Sequence, residues 1–144
     1  MGKTSIVEAL LRILKGWSAL KVTVTHPKGK CPVRKGCHSC DELKADFAVI
    51  TEKKIIEARG KDTARFKAAG AKKVLWLKAQ PEALGAGLQK AISLFQKPQK
   101  LIIESNSALT YLKPDLAIFV KNKDSILKSS AKRILNKIDL VITL

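Results

Sequence analysis

The chain has 144 residues, enough for one domain, and 46% of them are hydrophobic, enough for a core and against a disordered chain. Its net charge of +16 comes from 28 Lys and Arg against 12 Asp and Glu; the lysines are spread along the chain, as on a solvated face and unlike a basic tail. No apolar run approaches the roughly 20 residues that span a bilayer, and Glu8 and Arg12 interrupt any signal-peptide core, so a cytoplasmic domain without a membrane partner is expected. A cationic field attracts polyanions, but aromatics are only 5%, so stacking platforms are scarce and nucleic acid is not the expected partner.

In chain order, residues 2–5 read Gly-Lys-Thr-Ser and run into an amphipathic pattern at 5–14, apolar at 6, 7, 10, 11, 13 and 14. Gly-Lys-Thr before a helix is the second half of the phosphate-binding loop G-x-x-x-x-G-K-[ST]. There the backbone N–H groups wrap the β-phosphate, the Lys ammonium meets the β/γ oxygens and the Thr hydroxyl goes to Mg²⁺. The strand and glycine-rich turn that open the motif are not among the 144 residues. An in-frame strand followed by G-x-x-x in the DNA upstream of the Met1 codon would show a misplaced start. The missing strand is central in such folds, so the sheet is expected to hold a gap there, or another strand or a partner chain filling it.

Strands are expected at 20–25, 47–51, 73–77, 101–103, 116–120 and 140–143, several of them near-continuous apolar runs that suit burial on both faces. Helices are expected at 5–14, 63–69 (stopped by Gly70), 81–95 (opened by Pro81) and 129–135. This alternation predicts an α/β fold, a mainly parallel sheet with flanking helices, forming a single domain over 1–144 that is P-loop NTPase-like but lacks the first strand and the first half of the phosphate loop.

The strand at 101–103 leads to Glu104, the acid that a phosphate loop needs across from it to hold Mg²⁺ or polarise water. Ser105 and Asn106 follow at the carboxyl edge of the sheet, where ligands bind in open α/β folds. Residues 60–65, Gly-Lys-Asp-Thr-Ala-Arg, offer two readings: Asp62 as N-cap of the next helix, or Asp62 and Thr63 at the phosphate side of the sheet. Residues 136–139, Asn-Lys-Ile-Asp, imitate a guanine-reading motif, but they follow a helical pattern and precede a strand, so that reading is rejected; Lys121-Asn122-Lys123-Asp124 follows a strand but places its Asp one residue early, leaving only a loose base contact. Trp17 and Trp76 read as packing residues.

Gly2-Lys3-Thr4-Ser5, Val24-Thr25-His26 closing the next strand, Gly60-Lys61-Asp62-Thr63-Ala64-Arg65 with Ala69-Gly70-Ala71, and the strand ending at Glu104 together resemble the molybdopterin-guanine dinucleotide biosynthesis protein B family. The resemblance spans most of the chain and implies a P-loop protein that binds GTP or ATP with Mg²⁺, hydrolyses it weakly at most, and serves molybdenum cofactor biosynthesis. Molybdopterin or a cofactor-biosynthesis protein would then be a partner, and a homodimer is one expected assembly. It implies Lys3, Thr4 and Ser5 at the phosphates and Mg²⁺, with Glu104 in the family's acidic position; their places in the chain, and not the resemblance, add Gly2, Thr63, Ser105 and Asn106 as candidate nucleotide contacts and Asp62 as a second candidate catalytic acid. His26 gains a candidate role from the same resemblance. The chain departs from the family in lacking the start of the loop, in Ser105-Asn106 where Gly-Phe is usual, and in a longer connection after Pro27.

That connection contains a Cys-rich basic loop at 27–42, and residues 27–40 carry no acid. Cys31, Cys37, His38 and Cys40 have the ligand types of a Zn²⁺ or Fe–S site, although not the C-x₂-C spacing; His26 or a partner chain is a further source of a ligand. Lys28, Lys30, Arg34 and Lys35 favour thiolates, hence metal binding or redox reactivity. The alternative function is therefore a non-catalytic metal- or thiol-binding module with a degenerate P-loop.

Overall fold

The computed structural model describes residues 2–26, 30–31, 40, 43–97, 100–123 and 134–144. Helix α1 (Lys3–Ile13) leads into β1 (Ser18–Val24); β2 (Phe47–Ile50) follows, then α2 (Lys53–Ile56), α3 (Asp62–Ala68) and β3 (Val74–Ala79). A 3₁₀ turn at Pro81–Ala83 opens α4 (Leu84–Ser93), and β4 (Leu101–Glu104), β5 (Ile118–Lys121) and β6 (Leu140–Thr143) complete the order. The architecture is α/β with mostly parallel strands. A four-stranded sheet has the order β2-β3-β1-β4, in which β1 pairs in parallel with both neighbours and β2 joins β3 antiparallel. Strands β5 and β6 form a separate parallel pair, so the six strands do not make one continuous sheet.

Every predicted strand is present within two or three residues, and β6 has the predicted bounds. The helix expected at 81–95 divides, because the rigid φ of Pro81 starts a 3₁₀ turn before α4. Helix α2 is a single turn that hydrophobic periodicity is too short to reveal. Residues 129–133 of the last expected helix lie outside the described residues, and the part that is described forms a 3₁₀ turn, Leu135–Lys137. Gly70 ends α3 at φ +102°, and the Gly70 and Ala71 amides donate to Lys67 and Phe66 carbonyls, the double bond of a Schellman cap.

Side chains alternate across a strand, so each strand serves two cores. On one face Leu20 and Val22 of β1 and Leu75, Leu77 and Ala79 of β3 pack under Leu84, Leu88 and Ala91 of α4. On the other, Ala19 and Val74 meet Val7 and Leu11 of α1, Ile56 of α2 and Phe66 of α3, with Ile102 of β4 half-buried beside them. Lys21 and Glu104 share the parity of Ala19 and Ile102, so the pleat itself places them on the α1/α3 face. They also stand side by side, since Lys21 pairs with Glu104 in the β1–β4 register.

Thr63 is turned into this second core at 2% exposure, and its hydroxyl donates to the Ile56 carbonyl at 2.6 Å. That bond pins α2 to α3. Thr63→Val keeps the volume but orphans a carbonyl, and is expected to cost about 1–2 kcal/mol, read from the urea midpoint.

Candidate functional site

The site forms where α1 and α3 begin over the middle of β1 and the carboxyl end of β4. Gly2 is the N-cap of α1 at φ +110°, with no side-chain cap, so the first-turn amides face outward beyond the helix. A Cβ at Gly2 would run into the Leu144 side chain and lie 3.4 Å from Val120, which puts the start of α1 against β5 and the residue after β6. Leu144 can swing away, but the backbone angle cannot suit an L side chain, so Gly2→Ala is expected to destabilise by about 1–3 kcal/mol, measured by thermal unfolding.

One turn on, the Thr4 hydroxyl donates toward Glu104, at 3.4 Å from Oε1 and 3.3 Å from Oε2, joining residues 100 positions apart. Glu104 ends β4 with its side chain 5% exposed. Lys21 Nζ bridges the site, 2.8 Å from Glu104 Oε1 and 2.7 Å from Asp62 Oδ2. Burial pushes the Lys21 ammonium down, but the bonds and charges of Asp62 and Glu104 outweigh it, so its net shift is upward from 10.5. Arg65 pairs with Glu8 on α1 and approaches Asp62 at 4.0 Å.

The structure thus brings Thr4, Glu104 and Asp62 together with Lys21, which sequence reasoning passed over. The available signal was a single lysine inside an apolar strand pattern, level in the sheet with an acid at the end of another. Asp62 does not cap α3: the N-cap is Lys61, with no side-chain cap bond, and Asp62 is the first helical residue with its carboxylate on Lys21. Lys3 opens α1 half-buried and Ser5 is exposed. The Ser105 hydroxyl accepts from the Ser107 and Ala108 amides and so shapes the turn after β4. Because β4 pairs only as far as Lys21, the next residues of β1 edge a recess of about 250 Å³ lined by Lys21, Val22, Thr23, Val24, Asn106 and Ser107. Asn106 therefore meets the recess.

Trp76 is half-buried, donating from Nε1 to the Thr23 hydroxyl at 3.0 Å, with Lys78 Nζ 4.3 Å from its ring centre. Residues 136–139 serve structure: Lys137 Nζ donates to the Leu109 carbonyl, and Asp139 accepts from the Ala117 amide at 2.7 Å, setting the entry to β5 beside β6.

A second cluster lies past the end of β1. His26, Cys31 and Cys40 bring one ligand atom each within 4.8 Å of the others, and the group could hold a metal ion. Cys37 and His38 lie outside the described residues. Among the described residues no helix is long and apolar enough to cross a membrane. Comparison of the chain with protein-family models, with curated proteins and with solved structures gives no match.

Proposed function

We propose that the chain binds a nucleoside triphosphate with Mg²⁺, GTP or ATP, at the start of α1. The observation that carries this reading is the approach of the Thr4 hydroxyl to both Glu104 oxygens in the first turn of α1. Hard oxygen donors are the set Mg²⁺ takes, and it usually keeps several of its waters, which a nearby carboxylate can hold. Mg²⁺ would supply charge neutralisation between phosphate oxygens. Thr4 would be its ligand, Glu104 would hold its waters, and Lys3 would neutralise the β/γ charge.

Lys21 has a separate task. It keeps two carboxylates, Asp62 and Glu104, from repelling one another when no metal is near, and it fixes the rotamer of Glu104 through Oε1. The phosphates would be met by the first-turn amides of α1 and its positive dipole end. The recess beyond the end of β4 would take the remainder of the nucleotide or a co-substrate, at the edge where α/β sheets bind ligands. Participation in molybdenum cofactor assembly is the role that the motif resemblance favours.

The experiment is calorimetric titration of the full chain with GTP and with ATP, each with Mg²⁺. Saturable heat that is strongly reduced, but not abolished, in EDTA is the expected result. No heat up to millimolar ligand contradicts the proposal.

A further inference from the structure

The cluster past β1 holds chemistry that the Thr4–Glu104 site does not use. His26 follows β1 at the surface, and its Nδ1 lies 3.3 Å from Cys40 Sγ. The His26 backbone N–H also donates to that sulfur, at 3.4 Å. Cys31 completes a triangle whose ligand atoms all lie within 4.8 Å. Around one tetrahedral zinc ion, with Zn–S about 2.3 Å and Zn–N about 2.0 Å, ligand atoms stand roughly 3.5–3.8 Å apart. Movements of about an ångström, within reach of an exposed imidazole and two half-buried thiols, bring this triangle to that size.

Charge points the same way. A chain at +16 repels a divalent cation unless the site supplies negative charge. Two thiols that lose their protons to solvent make the loaded site neutral. Two sulfurs and one imidazole nitrogen select a borderline-soft ion over Mg²⁺ or Ca²⁺.

We propose that His26, Cys31 and Cys40 form a Zn²⁺ site with three protein ligands, the imidazole Nδ1 and two thiolates, and a fourth position for water or another donor. The ion ties Cys31 and Cys40 to His26, two residues past the end of β1. The site stands apart from the Thr4–Glu104 reading and does not depend on it.

The test uses the full chain, reduced and anaerobic, with Zn²⁺ or Co²⁺ alone. One ion per chain is expected, with a thiolate-to-cobalt charge-transfer band and the visible bands of tetrahedral Co²⁺. His26→Ala and Cys31→Ser are expected to weaken zinc binding at least 100-fold while their circular dichroism in EDTA matches the wild type. His26→Cys guards against a variant that loses metal only by misfolding: it is expected to retain the ion and to strengthen the charge-transfer band by adding a third thiolate. Zinc below 0.1 per chain in the wild type, zinc affinity of His26→Ala within threefold of wild type, or an unchanged cobalt spectrum in His26→Cys would each overturn the proposal.

Discussion

Lys21→Met is expected to lower the unfolding free energy by about 3–5 kcal/mol, the range for removing one partner of a buried ion pair. Methionine has nearly the length of lysine, so packing is kept and the loss is electrostatic. Glu104, 5% exposed at its side chain, then loses its cation in a dry place with only the Thr4 hydroxyl beside it, and Asp62 loses the same partner. Asp62 is 37% exposed, and water compensates part of its share, which favours the lower end of the range. The melting temperature is expected to fall by roughly 10 °C. Lys21→Met combined with Glu104→Gln removes both charges and is expected to recover at least ~1 kcal/mol relative to the sum of the single variants, as coupled neighbours do. Additivity of the two would mean that the bridge carries no energy.

The same bridge sets a pH dependence. The Lys21 ammonium titrates above its ordinary 10.5 in the folded chain, so its contribution is complete below that value and is lost as pH rises through the higher folded one. Wild-type stability is therefore expected to decline in the alkaline range beyond about pH 10.5, and Lys21→Met is expected to lack that part of the decline. Denaturant midpoints collected from pH 8 to pH 11.5 would check this.

The second large effect concerns the ligand. Thr4→Val and Glu104→Gln are each expected to weaken Mg²⁺-dependent nucleotide binding roughly 10- to 100-fold, in line with about 1.5–3 kcal/mol for a bond to a charged group. Residual binding in EDTA should change little, since the helix amides and Lys3 remain. Thr4→Ser keeps the hydroxyl and is expected to stay within a few-fold of wild type. Equal losses with and without Mg²⁺ would mean that these residues support the fold and not the ion.

The strands were legible because apolar runs of four to seven residues bounded by Gly, Pro or charged segments have few alternatives to burial in a sheet. Glu104 and Thr4 were legible as motif positions. Their meeting was not, because contact across 100 residues depends on register, and nothing local fixes which residue of β1 faces the end of β4. Lys21 was overlooked for the same reason: alone it is one polar residue in a strand, and it gains significance only opposite Glu104. Asp62 was legible as a helix-start residue, but competition between a cap and a cation was decided by Lys21. Thr63 shows the converse: its place in a motif suggested a ligand, while its hydroxyl serves the carbonyl of Ile56. For the cysteines, composition identified the chemistry, whereas the fold selected His26 by bringing the end of β1 to Cys40.

The central claim is that Thr4 and Glu104 face the cation of a bound nucleotide. Mn²⁺ can replace Mg²⁺ with GTP or ATP, and its paramagnetism broadens nearby amide signals in a nuclear magnetic resonance spectrum of the labelled chain. Nucleotide-dependent broadening is expected at Lys3, Thr4, Glu104 and Lys21, with Asp139 and Lys137 affected least. Broadening centred on residues 136–139, or no broadening beyond that from Mn²⁺ alone, would contradict it.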